Sequence, residues 1–213
     1  MSAGATNEQR TYVPAAGYHW LLPLYDVFAK LVGSEAAHRR LVEQADIQRD
    51  HHVLDIGCGT GNLTLLVKRF HPHADVVGLD PDEKALARAR RKTDQRVLAV
   101  RLDRGFSDEL PYADASFDRV LSAFMLHHLA PDAKGRTLRE VRRVLRSGGA
   151  FHALDFGGAG HHGLLAHVFH RGHLGDQHRI PALMREAGFA EVIELAPAAT
   201  ILGPVSYWHA TRN

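Results

Sequence analysis

The 213-residue chain has a single cysteine, Cys58, and no long run of apolar residues. One cysteine excludes an internal disulfide and a zinc site built from several cysteines, and it favours a reducing compartment. The polar start, MSAGATNEQRT, has no apolar stretch after it, so a secretory signal is not predicted. No apolar run approaches the length that crosses a bilayer. These absences predict a cytoplasmic protein.

The net charge is also small. The 26 Lys and Arg residues nearly balance the 24 Asp and Glu residues, for a formal charge of +2. This balance gives no electrostatic argument for a nucleic-acid or membrane partner. Basic residues cluster at 88–92 and 136–146, but no aromatic residues interleave them, so solvated helix faces are favoured over an RNA-binding surface. A monomer or homodimer is expected.

From residue 52 onward, short β-rich segments alternate with helical periodicity. This alternation is typical of one doubly wound, mostly parallel α/β sheet, and the length suffices for one such domain. The final segment, 204–212, alternates apolar and polar residues and is predicted to be a terminal strand of undetermined direction. The other predicted strands are 53–56, 75–79, 96–102, 117–124, 150–156 and 191–195, and the predicted helices are 63–70, 83–92, 134–146 and 180–188.

The segment VLDIGCGTGNL, residues 53–63, places three glycines directly after the first predicted strand. Glycine tolerates positive φ and has no side chain, so the backbone can approach a ligand at the carboxyl end of the strand. The G-x-G-x-G spacing is one residue shorter than the dinucleotide fingerprint, and no Lys-Ser/Thr pair follows as in a P-loop. Cys58 lies in this turn without a partner base or an electropositive neighbour, so it is interpreted as a small residue that fits and not as a nucleophile.

Asp80 ends the second predicted strand, about 20 residues after the glycine turn, where a carboxylate can accept hydrogen bonds from ribose hydroxyls. Asp80 also precedes Pro81 and lies three residues before Glu83, a pattern typical of a helix N-cap with a capping box. Both roles are compatible because a carboxylate has two acceptor oxygens. The ribose role is favoured.

Four segments in order, VLDIGCGTGNL, VVGLD, ELPYADASFDRVLSAFMLHHL and EVRRVLRSGGAFHALDF, resemble the class I S-adenosylmethionine-dependent methyltransferases. Within that class the chain is most similar to the small-molecule branch that includes the ubiquinone and menaquinone biosynthesis enzymes. The resemblance covers residues 50–156 well. It implies a Rossmann-like, mostly parallel seven-stranded sheet, S-adenosyl-L-methionine as cofactor, and a small-molecule methyl acceptor.

The resemblance also implies a set of cofactor-binding residues. Asp55, Gly57 and Gly59 would line the methionine part of the cofactor, and Asp80 would bind the ribose hydroxyls. The family commonly has an acidic residue near the adenine where this chain has Phe106. Apolar stacking by Phe106 with a backbone bond from Ser107 is one substitute, and Asp103 or Asp108 is another. The further cofactor contacts that we expect are Cys58, Gly61, Pro81 and Ala123.

By the same resemblance, residues 1–46 form a tail and helical lid segment, and residues 47–213 form the methyltransferase domain, with a lid insert at 157–180. The aromatic residues that would close over the site are Tyr12, Tyr18, Trp20 and Tyr25. Six histidines lie between 161 and 178, but only Asp176 is near them as a carboxylate. A histidine-rich lid or surface helix is therefore favoured over a metal site.

The segment SAFMLHHL, after the fourth predicted strand, contains His127 and His128. One imidazole would face the cofactor or take a proton from the acceptor, and a packing role at a helix start is the equal alternative. His127, the nearer to the strand, is favoured as the base. The Asn/Asp-Pro-Pro-aromatic motif that handles a flipped base is absent here, which disfavours a nucleic-acid substrate.

The predicted reaction is an in-line displacement at the sulfonium methyl, in which the enzyme mainly aligns the reactants. An NAD-linked oxidoreductase is a weaker alternative, because neither G-x-G-x-x-G nor Tyr-x-x-x-Lys occurs. A non-catalytic cofactor-binding subunit or regulator stays open, since this chemistry has no invariant catalytic residue. The sequence does not specify whether carbon, oxygen or nitrogen is methylated.

Overall fold

The computed structural model describes residues 34–156, 179–200 and 203–213. Helices and strands alternate along these ranges, with a short 3-10 turn at Leu126–His128. The helices are α1 (Ser34–Gln44), α2 (Asn62–Phe70), α3 (Glu83–Arg96), α4 (Pro131–Val144) and α5 (Ile180–Glu186). The strands are β1 (His52–Ile56), β2 (Asp75–Asp80), β3 (Arg101–Arg104), β4 (Phe117–Ala123), β5 (Leu145–Phe156), β6 (Glu191–Thr200) and β7 (Gly203–Thr211).

The strands form one seven-stranded sheet in the order β3-β2-β1-β4-β5-β7-β6. Strands β1 to β5 pair in parallel, and β7 lies antiparallel between β5 and β6. The predicted doubly wound, mostly parallel sheet is confirmed, and the direction of the terminal strand is antiparallel. The strand order reverses between β1 and β4, so the carboxyl ends of these strands open a crevice suited to a ligand.

Helices cover both faces of the sheet, which explains why its inner strands are continuously apolar. On one face, Leu138 and Val141 of α4 and Met184 of α5 are buried against the strands. On the other face, α1 and α2 contribute Leu41 and Leu66 to a second apolar cluster. These two layers hold the carboxyl edge of the sheet in place.

Helix α1 is part of this packed body. Its Ala37 and Leu41 are buried, and the Tyr207 hydroxyl on β7 donates to the Ala37 carbonyl oxygen at 3.3 Å. The boundary predicted at residue 46 therefore does not separate α1 from the sheet. Residues 1–33 of the predicted lid segment lie outside the described residues.

The strand predicted at 96–102 is wrong over most of its length. Helix α3 continues to Arg96, and Val97 follows with φ 52° and 92% of its surface exposed. The Leu98 N–H then donates to the Thr93 carbonyl oxygen at 3.1 Å, a bond typical of a helix C-terminus. Because Val97 and Leu98 end a helix, β3 begins only at Arg101.

Two strands are longer than predicted. Strand β5 starts at Leu145, inside the predicted helix 134–146, and it passes through Gly148 with φ 75°. Strand β6 runs on to Thr200, past Pro197, with a register shift between Leu195 and Ala198. Proline has no N–H for the ladder, so the shift lets the strand continue.

Candidate functional site

A cavity of about 360 Å³ opens at the carboxyl ends of β1, β2 and β4. This volume lies in the range of small-molecule sites. Most of its described wall comes from the glycine turn, the end of β2, the loop after β3 and the segment after β4, and α1 and α4 add His38 and Arg136. The predicted cofactor residues that line it are Asp55, Gly57, Cys58, Gly59, Asp80, Pro81, Phe106, Ser107 and Ala123.

The three glycines of the turn, Gly57, Gly59 and Gly61, all have positive φ, but their structural roles differ. A Cβ on Gly57 would lie 2.3 Å from Met125 Cγ, and one on Gly61 would lie 2.9 Å from Ala89 Cβ. A Cβ on Gly59 would meet nothing within 4 Å. Gly59 thus leaves space in the cavity, whereas Gly61 is not among the described lining residues and permits α2 to pack closely on α3. The described lining thus gives no support to a cofactor contact at Gly61, which stays a prediction.

Asp80 links the glycine turn to the start of α3. Its Oδ2 accepts the Gly59 N–H at 2.8 Å, and its Oδ1 accepts the Asp82 N–H at 2.8 Å. Burial raises the pKa of Asp80 to about 6, although these two backbone bonds lower it. The carboxyl group is therefore largely ionised at neutral pH, and each oxygen keeps a lone pair for a ligand hydroxyl.

The helix cap predicted at Asp80 belongs to Asp82 instead. The Oδ1 atom of Asp82 accepts the Lys84 N–H at 2.9 Å, and Glu83 is the first residue of α3. Pro81 and Asp82 separate the end of β2 from the first residue of α3. Consequently both Asp80 oxygens bond to backbone ahead of the helix, and the predicted capping box does not form.

Asp55 and Cys58 form the buried base of the turn. Thr64 Oγ1 donates to Asp55 Oδ2 at 2.6 Å, while burial, with a smaller effect from the charge of Asp80, raises the pKa of Asp55 to about 7. Burial, followed by the charges of Asp55 and Asp80, also raises the pKa of the Cys58 thiol well above its usual value. Cys58 therefore stays protonated at neutral pH, which agrees with its interpretation as a small lining residue.

Phe106, Ser107 and Asp108 line the cavity after β3. Asp108 Oδ2 accepts from Nε and Nη2 of Arg136, each at 3.1 Å. Asp103 instead accepts from the Tyr112 hydroxyl at 3.0 Å and is not one of the described lining residues. The geometry therefore favours Phe106 with Ser107, or Asp108, over Asp103 as the substitute for the usual acidic residue.

Lys92 anchors the glycine turn from α3. Its Nζ donates to the carbonyl oxygen and Oγ1 of Thr60, each at 3.0 Å, and to Asn62 Oδ1 at 2.9 Å. The sequence interpretation placed Lys92 on a solvated helix face and missed this contact. No local signal reveals it, because about 30 residues separate the partners.

The two adjacent histidines have different surroundings. His128 lines the cavity, whereas His127 is 5% exposed and is not among the described lining residues. The backbone N–H of His127 donates to Asp155 Oδ2 at 3.0 Å, and its Nδ1 lies 2.7 Å from Asp155 Oδ1. The geometry favours His128 over His127, the ring favoured from the sequence, as the ring that faces a ligand.

His38 and Phe124 line the cavity wall that also contains His128. Phe124 has φ 55°, which is rare for a bulky residue, and its ring centroid lies 4.9 Å from that of Phe156 and 5.8 Å from that of His38. Burial lowers the pKa of His38 to about 4, so this imidazole is neutral at pH 7. Neither residue is predicted from the sequence: His38 lies in no motif, and the segment SAFMLHHL draws attention to its histidines rather than to Phe124.

Other sequence predictions fall on residues that are not described. Within 34–156, 179–200 and 203–213, no group of three or more His, Cys, Asp or Glu side chains could hold a metal ion. The histidine-rich segment 161–178 and the lid residues Tyr12, Tyr18, Trp20 and Tyr25 lie outside these ranges. Among the described helices, none has the length and apolar character needed to cross a membrane.

Known proteins match this chain in sequence. Residues 53–149 match a family model described as a methyltransferase domain. The demethylmenaquinone methyltransferase of Thermus thermophilus is 37% identical over 139 residues, which cover 64% of this chain and 62% of the relative. That of Deinococcus radiodurans is 34% identical over 139 residues, covering 64% and 57%. The chain thus spans about three fifths of the length of these curated relatives.

Solved structures share its fold. The S-adenosylmethionine-dependent methyltransferase SibL has a TM-score of 0.69 and 26% identity, covering 84% of this chain and 55% of its own. A Thermotoga maritima protein, described as a possible histamine N-methyltransferase, has a TM-score of 0.70 and 20% identity, covering 92% and 97%. The cyclase SpnF also matches, with a TM-score of 0.69 and 17% identity, covering 84% and 81%, so the fold alone does not determine the reaction. In sequence and in fold together, this chain resembles the class I S-adenosylmethionine-dependent methyltransferases.

Proposed function

We propose that this protein transfers a methyl group from S-adenosyl-L-methionine to a small-molecule acceptor. The observation that carries the proposal is the pairing of Gly59 with Asp80 at the carboxyl edge of the sheet. Gly59 leaves open space in the cavity, and its N–H fixes a carboxylate that keeps further acceptor capacity. The methyltransferase relatives support the same reaction class.

The residues of the cavity suit the cofactor. Asp80 would accept hydrogen bonds from the ribose hydroxyls. Its two oxygens already accept the Gly59 and Asp82 N–H groups, and each keeps a further lone pair. Phe106, Ser107 and Asp108 follow at the next strand and would bind the adenine. Asp55 and the backbone at Gly57 would lie along the methionine part. The cofactor supplies an electrophilic methyl group on a sulfonium sulfur.

The wall formed by His38, Phe124 and His128 would contact the acceptor. Rings dominate this wall, so a flat and largely apolar acceptor is favoured over a highly charged one. Relatives named demethylmenaquinone methyltransferase fit this preference. The wall would align the acceptor with the methyl carbon, and alignment can contribute about 7–11 kcal/mol in favourable cases.

We extend the proposal to the parts of the chain that are not described. Tyr12, Tyr18, Trp20 and Tyr25, with the insert at 157–180, would cover the acceptor and exclude water. Aromatic rings near a sulfonium cation could add about 0.5–2 kcal/mol of cation–π attraction. A cytoplasmic location and a monomeric or homodimeric state are part of the same proposal.

The test follows release of S-adenosylhomocysteine with a panel of phenols, hydroquinones, amines and carboxylic acids. Acceptor-dependent release by the wild type, weakened in Asp80→Ala, would support methyl transfer. Calorimetric binding of S-adenosylhomocysteine without release in any class would support a non-catalytic subunit. Absence of both binding and release would contradict the proposal.

A further inference from the structure

Three side chains connect the core of the protein to the cavity wall. Asp155 at the end of β5 is fully buried, and its two oxygens contact the backbone N–H and the ring of His127. The ring centroid of His127 lies 3.9 Å from that of His128, which lines the cavity. His127 is thus held at two points and lies directly against the residue that a ligand would meet.

The contact with Asp155 also sets the tautomer of His127. An ionised carboxylate only accepts hydrogen bonds, so the Nδ1 atom at 2.7 Å must carry the proton that is shared. The Phe156 N–H donates to the same Asp155 oxygen at 2.8 Å, which fixes the carboxyl group from a third direction. A histidine oriented in this way has little rotational freedom.

Asp155 is a buried negative charge behind the pair of rings. Burial raises the pKa of Asp155, but His127 and the backbone N–H donors lower it by more. The pKa of Asp155 therefore lies below its ordinary value. A negative charge in a poorly solvated position favours a proton on a nearby imidazole. Among the described residues, the other titratable groups that line the cavity are His38, Asp55, Cys58, Asp80, Asp82, Asp108 and Arg136.

We infer that Asp155 and His127 are positioning residues that hold His128 as the proton acceptor of the methyl-transfer site. This inference rests on the proposed function, and it applies to acceptors with an ionisable O–H or N–H group. The bond between the acceptor atom and the methyl carbon forms as the carbon–sulfur bond breaks. The electron pair of the broken bond stays on sulfur, and the acceptor proton passes to the His128 ring.

The first test is a titration of ¹⁵N-histidine-labelled protein by NMR, with and without S-adenosylhomocysteine. His127→Gln and His128→Gln variants assign the two rings. We expect His127 to keep its Nδ1–H tautomer in the wild type. In Asp155→Asn, His127 should lose this preference, and the pKa of His128 should fall by about one unit.

The control is Asp103→Asn, which also removes one negative charge but at a position outside the cavity. It should leave the tautomer of His127 and the titration of His128 unchanged. An Nε2–H tautomer of His127 in the wild type would overturn the inference, even if Asp155→Asn fails to fold. An unchanged His128 titration in a folded Asp155→Asn protein would overturn it as well. These NMR signals need no turnover, so they test the positioning of the rings even if no acceptor is methylated. A lack of spectral change on addition of S-adenosylhomocysteine would instead count against the proposed function.

The second test is kinetic and uses the acceptor that gives the highest release in the panel above. Asp155→Asn should lower kcat about 10- to 100-fold with little change in KM. His127→Gln keeps a side-chain N–H that can donate to Asp155, so its kcat should fall less than that of His127→Ala. Equal losses in His127→Gln and His127→Ala, or a loss expressed only in KM, would contradict a positioning role.

Discussion

The two halves of the cavity are built in different ways. The half proposed for the cofactor is centred on backbone from one contiguous turn, to which the ends of neighbouring strands add the carboxylate of Asp80 and the segment from Phe106 to Asp108. The half proposed for the acceptor is made of side chains, with His38 from α1, His128 after β4 and Asp155 behind it on β5. A backbone cradle is specified by a short motif, whereas a side-chain wall depends on how distant elements pack.

The electrostatics of the halves also differ. Near the glycine turn, burial raises the pKa values of Asp55 and Asp80 to about 7 and about 6. Near the rings, burial lowers the pKa of His38 to about 4, and His127 keeps the pKa of Asp155 below its usual value. Changes in the first half should therefore act on cofactor binding, and changes in the second should act on turnover.

The largest expected effect is on turnover in the acceptor half. His128→Ala removes the ring that faces the cavity and should lower kcat by a factor of about 10² to 10⁴ if that ring takes the acceptor proton. An inflection of the rate profile that belongs to this ring should disappear. Calorimetry should show nearly unchanged affinity for S-adenosylhomocysteine. A loss of only a few-fold with the inflection retained would mean that alignment alone drives transfer.

Asp80→Ala should produce the opposite pattern. It removes a charged acceptor and should weaken binding of S-adenosylhomocysteine by about 1.5–3 kcal/mol, measured by isothermal titration calorimetry. Because Asp80 does not cap α3, the free energy of unfolding should change less than the binding energy does. Unchanged affinity with a large loss of stability would assign Asp80 a purely structural role.

The raised pKa of Asp80 predicts a pH-dependent difference in stability. Between about pH 4 and about pH 6, Asp80 is protonated in the folded, cofactor-free protein but ionised in the unfolded chain. Because the folded state binds the extra proton, the contribution of Asp80 to the free energy of unfolding falls as pH rises through this range. His38 and His152, whose pKa values are lowered, act with the opposite sign, so the wild type alone is not diagnostic. Asp80→Asn should gain stability relative to the wild type, by on the order of 2 kcal/mol, between about pH 4 and about pH 7. Urea denaturation at several pH values measures this difference, and a flat difference would contradict the shift.

The smallest expected effect is at Asp82, beside Asp80. Asp82→Ala removes the N-cap of α3 and should lower the free energy of unfolding by about 1 kcal/mol. Its effect on binding of S-adenosylhomocysteine should be much smaller than that of Asp80→Ala, although both side chains line the cavity. If Asp82→Ala weakens binding more than Asp80→Ala, the assignment of cap and ribose partner must be exchanged.

The sequence predicted what local patterns encode. The glycine turn and Asp80 follow successive strands, and parallel strands bring their carboxyl ends to one edge of the sheet. The sheet itself follows from the alternation of strands and helices. At Gly61 the sequence shows only that a glycine is needed. The structure shows that the need arises from Ala89 on α3.

The acceptor half could not be predicted in the same way. Asp155 lies inside a quoted motif, AFHALDF, but its contact with His127 joins residues 28 positions apart. His38 reaches the cavity only because α1 packs on the sheet. Val97 looked like part of a strand, yet the end of α3 leaves it exposed. For Asp155 and His38 a tertiary contact decides the outcome, and at Val97 the hydrogen bonds that end α3 decide it.

The most direct test of the central claim is a calorimetric titration of the wild-type protein with S-adenosylhomocysteine, compared with NAD under the same conditions. We expect S-adenosylhomocysteine to bind and NAD not to bind. Ligand at one hundred times its dissociation constant should then stabilise the protein by about 2.7 kcal/mol. Binding of NAD with equal or higher affinity, or no binding of S-adenosylhomocysteine, would contradict the assignment of the glycine turn and Asp80 to this cofactor.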